Sequence, residues 1–174
     1  VSDPALAGSD ALTTAKVLAA AIQKMGPVDL IIGATESSDG YTGTVPEQIA
    51  ELLGMPSITF AKKVEVSGTT LKVDRQSEAG YDEVECQLPA LISVTAGVVE
   101  PRYPSFKGIM AAKSKPVETF TASDLGVTAT GWAGAGQKIV SVTQAEARQA
   151  GEVVEDDGTA FEKIVAFLEN LKVI

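Results

Sequence analysis

VDLIIGATESSDGYTGTVPEQIAELL, running from Val28 to Leu53, decides how the rest of the chain is read. Val28, Leu30, Ile31 and Ile32 form a short apolar run closed by Gly33, the pattern of a strand buried in a parallel sheet. A polar loop, Ala34 to Gly43, follows. Thr44, Val45, Pro46 and Glu47 then spell a capping box with proline in the first turn: the Thr44 hydroxyl accepts the Glu47 amide and the Glu47 carboxylate reaches back to Thr44. The helix that starts there carries Ile49, Leu52 and Leu53 as its apolar stripe. Gly54 and Pro56 end it.

Strand, small-residue loop and helix N-terminus together bind phosphate when unpaired backbone amides and the helix dipole point at the ligand. The loop amides of Gly40, Tyr41, Thr42 and Gly43 read as open donors. No Walker lysine and no GxGxxG follows the strand, so the loop is neither a P-loop nor a standard dinucleotide fingerprint. By spacing alone, a capped helix after an ordinary βα loop is the commoner meaning. Glu36 and Asp39 would repel phosphate and suit ribose hydroxyls instead.

Working outward, Ser9 reads as the cap of a preceding helix in which Leu12, Ala15, Leu18, Ile22 and Met25 recur at three- and four-residue spacing. Gly26 and Pro27 stop it. Helix, strand, loop and helix make half of a doubly wound α/β unit. Such sheets carry more strands upstream, and the chain begins at Val1 rather than Met, so it is expected to be a truncated or processed piece of something longer.

After Pro56 the period changes from 3.6 to 2. Ser57 to Phe60 reads as a short strand; Val64 and Val66, then Leu71 and Val73, alternate around a Ser67-Gly68 turn, a hairpin signature. Glu78-Ala79-Gly80 makes the next turn, and Val84, Cys86 and Leu88 share one face of the strand that follows. Cys86 reads as a small buried hydrophobe, with no base or cation beside it to activate the thiol. Ala90 to Val94 is a second buried strand and Val117 to Thr121 a last one. The expected fold class is α/β: a partial doubly wound parallel sheet, adenine nucleotide α-hydrolase-like, with an inserted antiparallel meander and an extended C-terminal arm. Residues 1–122 form the domain and residues 123–174 the arm. Gly126 to Gly136 is rich in Gly, Ala and Thr around the only tryptophan, Trp132. Gly151 to Gly158 is acidic and turn-like, and Thr159 caps a final helix with Phe161, Ile164, Val165 and Leu168 on its inner side. An arm ending in an apolar helix folds back or reaches to another chain.

EPRYPSFKGIMAAKSKP, Glu100 to Pro116, concentrates Arg102, Lys107, Lys113 and Lys115 in an acidic chain, together with Tyr103, Phe106, Ile109 and Met110. Ile109 and Met110 read as core residues of a short helix. Phe106, at the loop-helix junction after Pro104-Ser105, reads as a partner anchor.

With 23 acidic against 14 basic residues and a net charge of -9, nucleic acid is excluded as the main partner. The absence of histidine removes His-based acid-base catalysis, His-activated nucleophiles and histidine metal sites, and no metal-binding cluster is expected. A single cysteine forms no internal disulfide and suits a reducing compartment. No signal peptide and no apolar run of membrane-spanning length is visible.

On these residues the chain resembles the β subunit of electron transfer flavoprotein over its whole length, aligning with the C-terminal two-thirds of that subunit. The Gly33 to Thr44 loop matches the family's AMP-binding loop, and Glu100-Pro101-Arg102-Tyr103 followed by Ile109-Met110-Ala111-Ala112-Lys113 matches its signature. The resemblance implies a non-enzymatic electron carrier of fatty acid oxidation. This subunit holds AMP structurally, through Gly33, Ser38, Asp39, Gly40, Tyr41, Thr42, Gly43 and Thr44, while an α subunit carries a redox-active FAD. Acyl-CoA dehydrogenases dock transiently on Arg102, Tyr103, Phe106, Lys107, Ile109, Met110 and Lys113, and a quinone reductase passes the electrons to the respiratory chain. The location implied is the bacterial cytoplasm, or the mitochondrial matrix in a eukaryote. The loop reads SSDGYTGT rather than the DGDTAQVG of electron-bifurcating relatives, which favours AMP over a second FAD. Two other classes remain open from the residues: a stand-alone adenine-nucleotide-binding domain, which would use the same loop, and a purely structural interaction domain, which would use the arm.

Overall fold

The computed structural model describes residues 1–147 and 151–174. They divide into two units, Val1–Lys138 and Ile139–Ile174. The first contains α1 (Ala11–Met25), β1 (Leu30–Ala34), α2 (Val45–Leu53), β2 (Ser57–Ser67), β3 (Thr70–Ser77), β4 (Gly80–Gln87), β5 (Ala90–Val94), α3 (Phe106–Ala112) and one helical turn, α4 (Gly131–Gly134). The second contains α5 (Ala160–Asn170). A single sheet runs in the order β1-β5-β2-β3-β4. β5 pairs in parallel with β1 and β2, and β2, β3 and β4 form the antiparallel meander. The fold class is therefore the mixed α/β one read from the sequence.

β5 lies between two strands and is buried along most of its length, which is why ALISV is apolar almost throughout. Its side chains alternate between two clusters, as the period of a strand requires. Leu91 packs with Ala15 and Ala19 of α1 and Ile49 and Ala50 of α2. Ala90 and Ile92 pack with Ile58, Ala61, Leu71 and Val73, and with partly buried Val84, Cys86 and Leu88. Cys86 thus joins the hydrophobic cluster, and burial pushes its thiol pKa up.

Ser57 to Phe60 is the first half of a longer strand rather than a strand of its own. β2 pairs with β5 at Ser57 and Ile58, then shifts register before Ala61 and continues against β3 to Ser67. The shift is made at Phe60, a non-glycine residue at φ 55 whose amide donates to the Ser93 hydroxyl at 3.1 Å. Such a bulge bends a strand; beyond it Ala61 still pairs with Val94 of β5 and also pairs with Arg75 of β3. Outside that face, Lys63–Glu65 at 2.7 Å and Lys72–Glu83 at 2.8 Å are exposed ion pairs of small energetic weight.

Several local expectations are corrected. The cap of α1 is Asp10, whose Oδ1 accepts the Thr13 amide at 2.8 Å; the Ser9 hydroxyl instead accepts the Gly131 amide at 3.0 Å. α1 buries Thr13, Ala15, Val17 and Ala19, which lie on two opposite sides of the helix, while Leu12, Leu18 and Met25 are exposed. Ala15 and Ala19 pack with Ile49 and Ala50 of α2, and on the other side the Thr13 hydroxyl donates to the Gly134 carbonyl. Val117 to Thr121 is not a strand: the Phe120 carbonyl accepts from the Ser2 amide and the Thr121 amide donates to Asp124, so these groups find partners outside the sheet. In the second unit Thr159 makes no side-chain cap; its hydroxyl donates to Asp157 Oδ1 at 2.7 Å.

Candidate functional site

β1 ends at Ala34 and α2 starts at Val45, and the loop between them borders a cavity of about 740 Å³ within the first unit. Its wall includes Gly33, Asp39, Gly40, Thr42 and Gly43 from this stretch, Leu18 and Ile22 from α1, and Ile31, Ile49 and Leu91 from the core. The volume falls within the range of about 300–1,000 Å³ typical of small-molecule sites, and the mixture of apolar wall and few polar groups is also typical. Ser38, Tyr41 and Thr44 do not line the cavity. Tyr41 is exposed and stands at φ 48.

The loop's donors are fewer than the sequence suggests. The Gly40 amide donates to the Ser37 hydroxyl at 3.3 Å and the Tyr41 amide to the Ser37 carbonyl at 3.1 Å. Ser37 also holds the Asp39 carboxyl below its usual pKa, helped by the Asp39 and Gly40 amides. The amides of Thr42 and Gly43 have no hydrogen-bond partner among the described residues. Thr44 is the second correction: it makes no capping bond, and its hydroxyl accepts from Gln48 Nε2 at 3.3 Å. The expected Thr44–Glu47 box is absent, because at φ -122 and ψ -6 Thr44 leaves the extended geometry that a capping residue needs. The first turn of α2 is therefore an uncapped positive end beside the cavity.

One glycine of the loop has a definite task. Gly43 holds φ +62, which side-chain-bearing residues rarely adopt, whereas a Cβ on Gly33 would sit in ordinary contact, 3.5 Å from Pro46 Cγ. Asp10, Glu36 and Asp39 line the wall without a lysine or arginine among their fellow lining residues. An anion would have to meet the backbone amides and the α2 terminus, leaving the carboxylates for hydroxyl groups. Those residues fit an adenine nucleotide in this sense: apolar wall for a base, acceptors for a ribose and amides for one phosphate. Glu47 Oε2 and Gln48 Oε1 are buried without a partner, but neither residue lines the cavity.

Sequence reasoning missed the part of the wall supplied by Ser9, Asp10, Thr14 and Gln137. Asp10 is the hub. Besides capping α1 it accepts the Gly136 amide at 2.8 Å, and these bonds from Thr13 and Gly136 hold its carboxyl below the usual value. No local pattern announces a contact between residues 10 and 136.

The aromatic-basic segment stands apart from the cavity lining. α3 is capped by Ser105, whose hydroxyl accepts the Gly108 amide at 3.1 Å, and it buries no residue. Tyr103 is 95% and Phe106 80% exposed. Ile109 and Met110, expected in the core, are 45% and 49% exposed, since no element packs over this short helix. Arg102, Lys107 and Lys113 form no ion pair among the described residues, so Arg102 does not bridge Glu100. Apolar and cationic side chains alike are exposed along this segment.

Comparison with known proteins gives a consistent picture. "Electron transfer flavoprotein subunit beta" of Mycobacterium tuberculosis is 40% identical over 176 residues, covering 100% of this chain and 66% of the relative. The protein of the same name from Thermoanaerobacterium thermosaccharolyticum is 38% identical over 88% of the chain and 60% of its own length. "Caffeyl-CoA reductase-Etf complex subunit CarD" of Acetobacterium woodii is 37% identical over 74% of the chain and 49% of its own length. The chain thus spans about two thirds, or less, of the curated relatives it matches. The model of the electron transfer flavoprotein domain matches residues 1–125, which include the whole sheet, the cavity loop and the exposed α3 segment, and the chain belongs to that family.

Proposed function

We propose that this chain is the nucleotide-holding part of an electron-carrier β subunit, with AMP as a structural ligand in the cavity and an FAD-bearing α subunit as its permanent partner. The observation that carries the reading is the exposed Arg102–Lys113 surface in a chain of this family: apolar and cationic residues that stabilise no core are suited to brief contact with redox partners. Acyl-CoA dehydrogenases as donors and a quinone reductase as acceptor accord with it. The flavin would supply the electron chemistry; this chain would position the partner and complete the carrier. The likeness to a subunit named for a caffeyl-CoA reductase complex supports an acyl-CoA-linked redox partner and association with other subunits. No helix among the described residues is long and apolar enough to cross a membrane, and a cytoplasmic place accords with the bacterial relatives.

AMP is supported by the amides of Thr42 and Gly43 at an uncapped helix end. Native mass spectrometry of the chain co-expressed with its α subunit tests both halves. The expected mass is a heterodimer with one FAD and one AMP. A stable free chain carrying AMP but never binding an FAD-bearing partner would favour the stand-alone nucleotide-binding domain instead.

A further inference from the structure

Residues 131–137 are fastened across the start of α1 by bonds that span more than a hundred positions of sequence. The Gly131 amide donates to the Ser9 hydroxyl at 3.0 Å, the Trp132 amide to the Ala7 carbonyl at 3.1 Å and the Gly136 amide to Asp10 Oδ2 at 2.8 Å. In the other direction, the Thr13 hydroxyl donates to the Gly134 carbonyl at 3.2 Å. Shape agrees with bonding. A Cβ on Gly8 would overlap the Trp132 ring, and one on Gly131, at φ +60, would overlap the Ala5 carbonyl. This close seating delivers Gln137 to the wall of the same cavity that Asp39, Gly40, Thr42 and Gly43 border.

We propose that residues 131–137 are a strap that closes the nucleotide site, and that Gln137 on it hydrogen-bonds the uncharged part of the nucleotide. The proposal rests on the nucleotide reading above. Gln137 follows the residue bonded to the Asp10 carboxylate, so a phosphate there would meet negative charge. A ribose or base edge would not, and a side-chain amide that both donates and accepts suits either. The strap's own bonds are with the protein, mostly near the surface, and its apolar anchor is the half-open Trp132 contact; it can therefore loosen locally without unfolding the sheet. A ligand that touches Gln137 stabilises the seated state, which links nucleotide affinity to strap closure.

The test is hydrogen exchange of the full chain with and without added AMP, alongside Gln137→Ala. AMP is expected to slow exchange in residues 131–137 as well as in 40–44. Gln137→Ala, at an exposed position, is expected to raise the AMP dissociation constant about three- to tenfold, the effect of one hydrogen bond, without changing the melting temperature. Gly131→Val, which cannot seat, is expected to lose the AMP-dependent protection of 131–137 and to bind AMP more weakly. Slowed exchange in 40–44 with none in 131–137, or an unchanged AMP constant in Gln137→Ala, overturns the strap and leaves the nucleotide reading standing. AMP protection in neither segment of the unmodified chain overturns both.

Discussion

Phe106→Ala separates docking from folding more sharply than any other single change. The ring is 80% exposed and α3 buries no residue, so truncation removes little packing. A surface change of that kind lies within about 0.5 kcal/mol, which for a chain of this size moves the melting temperature by about 1–2 °C. As an interface anchor, however, an aromatic ring is worth about 2 kcal/mol or more, equivalent to about a 30-fold loss of affinity. Electron transfer from an acyl-CoA dehydrogenase to the reconstituted carrier, measured at subsaturating carrier, is expected to slow by about that factor. The flavin spectrum and nucleotide content of the heterodimer are expected to stay unchanged. Because Lys107 and Lys113 flank the anchor, raising ionic strength should slow the unmodified carrier, and Lys107→Glu should reduce both the rate and its salt dependence. Normal transfer by Phe106→Ala would refute the assignment of docking to α3. A melting temperature lowered by many degrees would show that the ring packs rather than docks.

Thr44→Ala should cost within about 0.5 kcal/mol of stability by chemical denaturation, since the hydroxyl caps nothing; a loss of about 1 kcal/mol or more would restore the capping box. Gly43→Val should deplete bound AMP, but part of any stability loss comes from φ +62, so nucleotide content per folded protein is the quantity to measure. Asp10 has a folded pKa below its ordinary 3.8, so its contribution is present above that value and fades as pH falls through the folded pKa. The difference in thermal stability between the unmodified chain and Asp10→Ala should accordingly be full at pH 7 and shrink below about pH 3.8, and a difference independent of pH would exclude the carboxylate as its source. Deleting Thr159 to Ile174 should weaken the heterodimer in gel filtration more than it lowers the melting of the first unit, since Phe161, Ile164 and Phe167 are more than half exposed on α5.

Much of this protein is local, and the local part is what sequence alone could determine. The run Leu30 to Gly33, the Gly54-Pro56 stop, the Gly68 hairpin and the alternation of Val84, Cys86 and Leu88 each depend on the backbone preferences of neighbouring residues, and each is recognisable within one window. The exposed character of Phe106 was legible for the same reason, as an aromatic immediately after Pro-Ser. Tertiary structure decided whatever depends on which segment arrives beside which. Asp10 outcompetes Ser9 as the α1 cap while Ser9 turns to Gly131, a choice that exists only once residue 131 is there. Ile109 and Met110 have the periodicity of a core stripe yet lie bare, because amphipathic spacing states that a face is apolar and not whether anything covers it. The Thr44 box fails on a ψ angle that no composition encodes, and the second wall of the cavity is brought in from residue 137, beyond any periodicity that a single segment could carry.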